Sequence, residues 1–219
     1  MEKKGLIRKI MEEMKVEREI EKTGAFETLV ATIISQNTND KNTERAVNRL
    51  KSEIGLNVKS ILSADRQKLI ECLKPAGLYN VKIPRIIELA KRIEHELGDE
   101  SKLDSMNDEE LRTFLSKVKG IGPKTIDIFL AFRRKRDIIP VDTHVSRVSR
   151  RLGIADKGDG YFEIRRKLED LVPAGDRLKA HFSLIAFGRK ICTAKRPKCI
   201  ICPLREECPS SKQFLSPLQ

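Results

Sequence analysis

Apolar residues along this chain recur mostly at the spacing of an α-helix. Five of them, at i, i+3, i+4, i+7 and i+8, form one wide apolar face. They are Phe26, Leu29, Val30, Ile33 and Ile34. Similar spacing recurs between Ile83 and Ile93 and, more loosely, from Ile126 to Phe132. The run TLVATIIS lacks the alternation of a half-buried strand, and Pro140 makes the extended stretch RDIIPVDTH a connector. The pattern predicts an all-α protein.

Two stretches, LKPAGLYNVKIPRII and VKGIGPKTIDIFL, predict a helix, a short glycine turn and a second helix. In the second stretch, Gly120 and Gly122 can adopt backbone conformations closed to other residues and let another backbone approach closely. Unpaired N–H groups at the start of the following helix would then suit a phosphate oxygen. Lys119 adds positive charge beside the turn. Such a hairpin would hold a nucleic-acid backbone without reading sequence, although a purely structural turn explains most similar glycine pairs.

Lys124 and Asp142 are candidate catalytic residues, and each also has a structural explanation. Lys124 lies in the first turn of the helix after the hairpin, where the helix dipole disfavours a charged ammonium. A neutral amine is what nucleophilic attack on carbon requires, whereas a solvated surface lysine is the commoner case. Asp142 precedes a helical run and is typical of a helix N-cap. In a shared cleft with Lys124, it could instead stabilise positive charge on a reacting sugar.

The net charge of +12, from 44 Lys and Arg against 32 Asp and Glu, favours a polyanionic partner over a generic basic protein. Three basic clusters lie at residues 133–136, 147–151 and 165–167. No stretch is long and apolar enough to span a membrane. The first residues are charged throughout, unlike a signal peptide, so we expect an intracellular protein.

Four of the five cysteines lie within the last 28 residues. They are Cys192, Cys199, Cys202 and Cys208, with the spacing C-x6-C-x2-C-x5-C. In a reducing compartment such crowding indicates metal binding. One C-x-x-C between two wider gaps favours an iron–sulfur cluster over structural zinc, which usually shows two close pairs. Lys195, Arg196 and Lys198 in the first gap suggest a phosphate contact. Cys72, on an apolar helix face, is expected to fill the core.

Together, the GIGPKT hairpin, the VDTH segment and the cysteine spacing resemble the endonuclease III family of DNA base-excision glycosylases, within the helix–hairpin–helix superfamily. The resemblance covers about Phe26 to Cys208. It implies a bilobal all-α fold, with a six-helix domain at residues 22–136 that contains the hairpin. A second helical domain would comprise residues 1–21 and 137–219, with a [4Fe–4S] cluster at 192–208. Double-stranded DNA carrying damaged bases or abasic sites would lie between the domains of a monomer.

The resemblance also implies roles for individual residues. Lys124 matches the catalytic lysine, which attacks C1′ of the damaged nucleotide, displaces the base and leaves a Schiff base. β-Elimination then cuts the strand on the 3′ side, and Asp142 matches the carboxylate that assists. The four cysteines match the ligands of a cluster that is structural or DNA-responsive rather than catalytic. Gln36 matches a residue that fills the space left by the flipped base. Leu78 matches a wedge between bases.

Some positions depart from the family pattern. Lys119 stands where the hairpin often carries proline, and Asn37 and Asn39 stand where bacterial members commonly carry alanine and aspartate. These two asparagines are expected near the lesion pocket, so they leave the preferred base open. Relatives that excise adenine or mismatched thymine lack the hairpin lysine, so Lys124 favours the bifunctional class.

Three functions therefore compete. The first is a bifunctional glycosylase/AP lyase for oxidised pyrimidines. The second is a related glycosylase for uracil or thymine opposite guanine, or for alkylated purines. The third is a non-catalytic DNA-binding protein, which would need neither Lys124 nor Asp142. For the enzyme we expect a cytoplasmic location, associated with the nucleoid through DNA.

Overall fold

The computed structural model describes residues 2–16 and 23–215. Within these residues every regular element is helical, so the all-α prediction is confirmed. None of the described helices combines the length and hydropathy of a membrane span. Contacts between Cα atoms divide the chain into two compact units. The terminal unit comprises Met1–Ile20 and Arg136–Gln219, and the middle unit comprises Glu21–Lys135. The domain boundary expected between residues 21 and 22 lies outside the described residues.

In chain order the α-helices are α1 (Lys3–Met14), α2 (Ala25–Ser35), α3 (Asp40–Glu53), α4 (Val58–Ser63), α5 (Arg66–Leu73), α6 (Tyr79–Arg92), α7 (Lys102–Ser105), α8 (Asp108–Ser116), α9 (Pro123–Phe132), α10 (Thr143–Arg151), α11 (Tyr161–Glu169), α12 (Arg177–Lys190) and α13 (Ser211–Leu215). Short 3-10 helices occupy Lys74–Ala76 and Cys199–Ile201, and a π-helical turn occupies Ile93–Leu97.

Helix α2 is the central element of the middle unit. The five apolar residues of its predicted face, from Phe26 to Ile34, are all fully buried. Helices α3, α6 and α9 pack against it. A helix enclosed by three neighbours is apolar around most of its circumference. That enclosure explains why the sequence of α2 shows a wide apolar face and no strand alternation.

The terminal unit is built around α12, which packs against α1 and α10. Leu6, Ile7 and Ile10 of α1 are buried in the same core as Val148 and Phe187. Gly188 allows a close approach of α12 to α10, because a Cβ there would lie 3.0 Å from the Cβ of His144. The described part of the N-terminal segment therefore completes a core formed otherwise by residues after 136.

Three side chains hold the extended segment that enters α10. The N–H of Ile139 donates to Glu169 Oε1 at 3.0 Å. The Pro140 carbonyl lies 2.8 Å from Nδ1 of the buried His181. The N–H of Val141 points to the Tyr161 hydroxyl at 3.4 Å. Because successive backbone polar groups are paired with side chains, the start of α10 is held in place.

The basic clusters of the sequence are largely used inside the fold. Several of their members form ion pairs with neighbouring carboxylates. These pairs are Arg133–Asp104, Arg134–Asp108, Arg165–Glu169, Arg166–Asp170 and Lys167–Asp159. Arg147 and Arg151 instead donate to backbone carbonyls, at Gly188 and Thr193 among others. These clusters are therefore weaker evidence for a polyanion-binding surface than exposed lysines and arginines elsewhere in the fold.

Candidate functional site

The turn between α8 and α9, residues 117–122, forms the predicted hairpin. Val118 and Ile121 are buried and anchor it, whereas Lys119 and Gly120 are exposed. Gly120 has a φ of 87°, a conformation that disfavours any side chain. A Cβ at Gly120 would also lie only 2.4 Å from Arg85 Nε. The positive φ therefore favours glycine at this position, and any side chain there would also have to displace the end of Arg85.

Gly122 differs from the expectation drawn for it. Its φ of −101° and ψ of −177° are open to any residue. A Cβ built on Gly122 would meet nothing within 4 Å. Glycine is one of several good residues for this N-cap position, and the open space beside it leaves room for a close approach by another molecule. The space in front of Gly122 adjoins the first turn of α9, where backbone N–H groups have no partner within the helix.

Lys124 is the second residue of α9, directly after Pro123. Pro123 suits the first helical position because its fixed φ matches the helix and its missing N–H would be unpaired there. The next three residues, Thr125, Ile126 and Asp127, are buried, whereas Lys124 is half-buried. The amine is thus carried on a rigid helical turn beside the open space at Gly122. This placement suits a group that must meet a molecule bound at the hairpin.

Asp142 is the N-cap of α10 in the terminal unit, as its sequence pattern indicates. Its Oδ1 accepts a hydrogen bond from the Val145 N–H at 2.8 Å. The side chain is half-buried, and within the described residues no hydrogen bond to Oδ2 is seen. Capping therefore fixes the orientation of the carboxylate while one oxygen remains for other chemistry. The structural and the catalytic explanations of Asp142 are compatible.

The structure brings Gln36 and the hairpin together within the middle unit. Gln36 follows the end of α2, and its Nε2 donates to the Gly120 carbonyl at 3.0 Å. The Oε1 of Gln36 accepts from Arg85 Nη1 at 2.8 Å. The next residue, Asn37, has a φ of 55°, which asparagine tolerates better than most residues. The side chain of Gln36 is therefore directed at the turn that the sequence identified as a phosphate site.

Leu78 lies directly before α6 and is 53% exposed. Its φ of 50° places a leucine in the left-handed region, at a cost of about 1–2 kcal/mol. An exposed leucine with a strained backbone gains little from packing in the free protein. Strain of this kind concentrates at functional positions, which agrees with a wedge residue.

Sequence reasoning missed Lys82, which is only 1% exposed. Its Nζ donates to the carbonyls of Ile34, at 2.7 Å, and Ala76, at 3.0 Å. Each carbonyl lies two residues before a candidate DNA-contacting residue, Gln36 or Leu78. Burial lowers the pKa of the Lys82 amine, and the two carbonyls stabilise its charged form. Lys82 therefore ties together the two segments that carry these residues.

The sequence does contain a signal for Lys82. The buried residues Ile86, Leu89 and Ile93 follow Lys82 at i+4, i+7 and i+11. Lys82 therefore continues the buried stripe of α6. A lysine in such a stripe needs polar partners inside the fold. The sequence could not say which carbonyls these are, because they come from two other segments.

Asn39 has a role that the sequence did not predict. It is the N-cap of α3, and its Oδ1 accepts from the Asn42 N–H at 2.9 Å. Asparagine and aspartate are both good N-caps. The departure from aspartate at this position thus preserves a capping function, so it carries less weight as a sign of a different lesion pocket.

The four C-terminal cysteines surround one cavity of the terminal unit, which Arg151 and Phe214 also line. Among the described residues no three His, Cys, Asp or Glu side chains converge closely enough for a single metal ion. A zinc ion would need its thiolates at about 2.3 Å, whereas an iron–sulfur cluster is larger and takes four more widely spaced thiolates. The four thiols around one cavity are the donor set that an iron–sulfur cluster takes.

The surroundings of the thiols are those of a structural cofactor site. Burial raises the pKa of the Cys202 and Cys208 thiols, and the neighbouring thiols raise it further. Arg151 Nη1 lies 3.4 Å from Cys192 Sγ and also donates to the Thr193 carbonyl. The guanidinium of Arg151 stacks on Phe214, 4.5 Å from the ring centroid. A bound metal would favour the thiolate form of these ligands.

Lys195, Arg196 and Lys198 are exposed on the loop between the first two cysteines. Arg147 Nε holds the Cys192 carbonyl at 3.0 Å, and Arg151 holds the Ala194 carbonyl at 2.8 Å. Half-buried arginines of α10 thus fix the loop, while the exposed cations on it remain available to a partner. This arrangement can hold phosphates at defined positions.

Known proteins match both parts of this description. Residues 30–174 match the family described as HhH-GPD superfamily base excision DNA repair protein. Residues 192–208 match the family described as iron–sulfur binding domain of endonuclease III. The endonuclease III of Sulfolobus acidocaldarius is 35% identical over 184 residues, which is 84% of this chain and 81% of that protein. The endonuclease III of Bacillus subtilis is 34% identical over 195 residues, 88% of this chain and 84% of that protein.

Solved structures give the same picture. A trapped endonuclease III–DNA covalent intermediate is similar with a TM-score of 0.83 and 28% identity, over 99% of this chain and 100% of that chain. A thermostable thymine-DNA glycosylase is similar with a TM-score of 0.78 over 96% of each chain. Its identity is 18%, so this second likeness concerns the fold alone.

Proposed function

Since the chain belongs to the endonuclease III family of base-excision-repair DNA glycosylases and AP lyases, we propose that it removes oxidised pyrimidines from duplex DNA by a lysine Schiff-base mechanism. The observation that carries the proposal is the placement of Lys124. Lys124 lies in the first turn of α9, two residues after a glycine whose surroundings are open. DNA held by its backbone at the hairpin would bring a flipped nucleotide towards this amine.

The reaction follows from what a neutral amine can do at a sugar carbon. Nζ of Lys124 attacks C1′ and forms a bond to it. The bond between C1′ and the base breaks, and the electron pair of that bond leaves with the base. The amine loses a proton and the sugar ring opens to the Schiff base. Loss of a proton from C2′ then expels the 3′ phosphate and cuts the strand.

Asp142 assists the first step in this proposal. A carboxylate near the sugar stabilises the positive charge that develops at C1′ as the base departs. The bond from the Val145 N–H fixes its orientation before DNA arrives, so little reorganisation is needed. A glycosylase for another lesion would use both Lys124 and Asp142 only if it retains the lyase step.

DNA contacts are assigned to both units. Gly120, Gly122 and Lys119 would hold one stretch of backbone, and Lys195 and Arg196 another. Gln36 would fill the gap left by the flipped base, and Leu78 would separate the neighbouring bases.

An iron–sulfur cluster is the cofactor of this chain. We assign its four thiolate ligands to Cys192, Cys199, Cys202 and Cys208, and its type to [4Fe–4S]. When bound it stabilises the fold of the loop that carries Lys195 and Arg196, and it takes no part in bond breaking.

We propose two domains. The first comprises residues 22–136, and the second comprises residues 1–21 together with residues 137–219. Six helices of the described middle unit have eight residues or more, namely α2, α3, α5, α6, α8 and α9, which supports a six-helix domain. We further propose a monomer that works in the cytoplasm, associated with the nucleoid through its substrate.

A panel of duplexes tests the substrate and the reaction together. Each duplex carries thymine glycol, uracil opposite guanine, 1,N6-ethenoadenine or an abasic site, and strand cleavage is measured with and without alkali. We expect cleavage without alkali for thymine glycol and the abasic site. Release of uracil or ethenoadenine with cleavage only after alkali would favour the alternative glycosylases. Binding without base loss on any duplex would favour a non-catalytic protein.

A further inference from the structure

Helix α6 contacts the hairpin through side chains one turn apart. The guanidinium of the half-buried Arg85 lies against Gly120, where a Cβ would come within 2.4 Å of its Nε and 2.6 Å of its Cζ. Glu88 Oε1 lies 3.4 Å from the Lys119 N–H. Glycine at 120 therefore makes room for Arg85 as well as for its own positive φ.

Arg85 and Gly120 together fix the side-chain amide of Gln36. Its Oε1 accepts from Arg85 Nη1 at 2.8 Å, and its Nε2 donates to the Gly120 carbonyl at 3.0 Å. Rotating the amide by 180° would set its NH2 against the guanidinium and its oxygen against a carbonyl. The two partners thus determine the orientation of the amide, because only one of its two ends suits each partner.

The backbone that carries Gln36 is also held from α6. Lys82, one turn before Arg85, binds the Ile34 carbonyl at 2.7 Å. Lys82 therefore restrains the main chain at the end of α2, and Arg85 restrains the side chain that follows it. Both restraints come from the same helix, so Gln36 has a fixed relation to the hairpin.

We propose that Arg85 is a positioning residue, which holds the Gln36 side chain on the hairpin so that gap filling and backbone binding occur together. The inference rests on the role of Gln36 in the proposed function. A free glutamine side chain would lose rotamer entropy on entering the DNA stack, and holding it in advance reduces that cost. Arg85 acts through Gln36, and it needs no direct contact with DNA.

A double-mutant cycle on uncleavable DNA tests the proposal. The duplex carries a tetrahydrofuran abasic analogue opposite 2-aminopurine, whose fluorescence changes when protein side chains displace it from the stack. Wild type, Arg85→Ala, Gln36→Ala and the double variant are compared for the fluorescence change at saturating protein and for affinity. Each single variant should lower the equilibrium constant for the displaced state by about tenfold or more, the loss expected of a charge-assisted hydrogen bond. The double variant should be no worse than Gln36→Ala.

Controls separate this role from charge and from folding. Arg85→Lys keeps the charge but loses the planar guanidinium, so it should behave like Arg85→Ala. Lys119→Ala removes one exposed cation of the hairpin, and its effect should add to that of Gln36→Ala. Melting temperatures identify any variant that is defective in folding, and for such a variant Arg85→Met, which keeps the aliphatic stem, replaces Arg85→Ala.

Additive losses for Arg85 and Gln36, or a wild-type fluorescence change and affinity in Arg85→Lys, would overturn the proposal, because Arg85 would then act independently of Gln36 or through its charge alone. A wild-type fluorescence change in Gln36→Ala would contradict gap filling by Gln36 and would overturn the proposal with it. Because the analogue is never cleaved, neither result depends on whether Lys124 performs the lyase reaction.

Discussion

At the scale of single residues, Leu78 has a backbone conformation that its contacts do not explain. Its φ is 50°, and 53% of its surface is exposed. Leucine in the left-handed region costs about 1–2 kcal/mol, and an exposed side chain recovers little of that by packing. The position is better explained by what the side chain does in the complex with DNA.

Leu78→Gly should therefore raise the free energy of unfolding by about 1 kcal/mol, because glycine accepts positive φ without strain. The same change should weaken binding to the abasic-analogue duplex, since the wedge is lost. Leu78→Ala is the matched control, which loses the wedge and keeps the strain. Urea denaturation and fluorescence anisotropy give the two quantities, and a stability gain equal in both variants would contradict the strain argument.

The two hairpin glycines should respond differently to alanine. Gly122→Ala should change the free energy of unfolding by less than about 1 kcal/mol, because the loss at the N-cap and the smaller unfolded-state entropy oppose each other. It should still reduce DNA affinity, since a methyl group enters the open space before α9. Gly120→Ala should destabilise the fold, because its φ is 87° and Arg85 lies in the way. Unchanged DNA affinity in Gly122→Ala would count against backbone binding at the hairpin.

At the scale of elements, the loop between Cys192 and Cys199 carries exposed cations and is held by half-buried arginines of α10. Arg147 and Arg151 hold its carbonyls from α10, while Lys195 and Arg196 are exposed. Cations with internal partners stabilise the loop, and cations without them are free to bind phosphate. Counting charges along the sequence could not separate these two groups.

Lys195→Ala or Arg196→Ala should weaken binding to every duplex by roughly threefold to tenfold and reduce the salt slope by about 1. Arg166→Ala is the matched control, because it removes the same charge from a surface pair with Asp170. Titrations at several salt concentrations measure both effects. An equal change in all three variants would indicate net charge rather than a localised contact.

Helices with a regular spacing of apolar residues could be predicted from the sequence, as α2 and α6 show. The hydrogen-bond partners of Lys82 and Arg85 could not be, because Ile34, Ala76 and Gln36 lie in other segments of the chain. Asn39 and Gly122 show a second limit. The type of residue in the sequence did not reveal that the first is a helix cap, or that the second has open space in front of it.

At the scale of the whole molecule, the all-α fold was predicted from helical periodicity, and the family and the iron–sulfur cofactor from three short motifs; all three are confirmed. The motifs identify a family because they occur together in a fixed order and separation. The lesion is not encoded in this way, since the shape of a pocket depends on many side chains. The roles of Lys124 and Asp142 remain proposals that chemistry must test.

The most direct test of the account is borohydride trapping on a thymine glycol duplex, with wild type and Lys124→Gln side by side. Reduction of a Schiff base leaves a stable covalent complex, which denaturing gels resolve. The account predicts an adduct with wild type, and with the control Lys68→Gln at an exposed position of α5, but none with Lys124→Gln at similar DNA affinity. An adduct that persists in Lys124→Gln, or a loss of DNA binding that matches the loss of adduct, would contradict the assignment of Lys124 as the nucleophile.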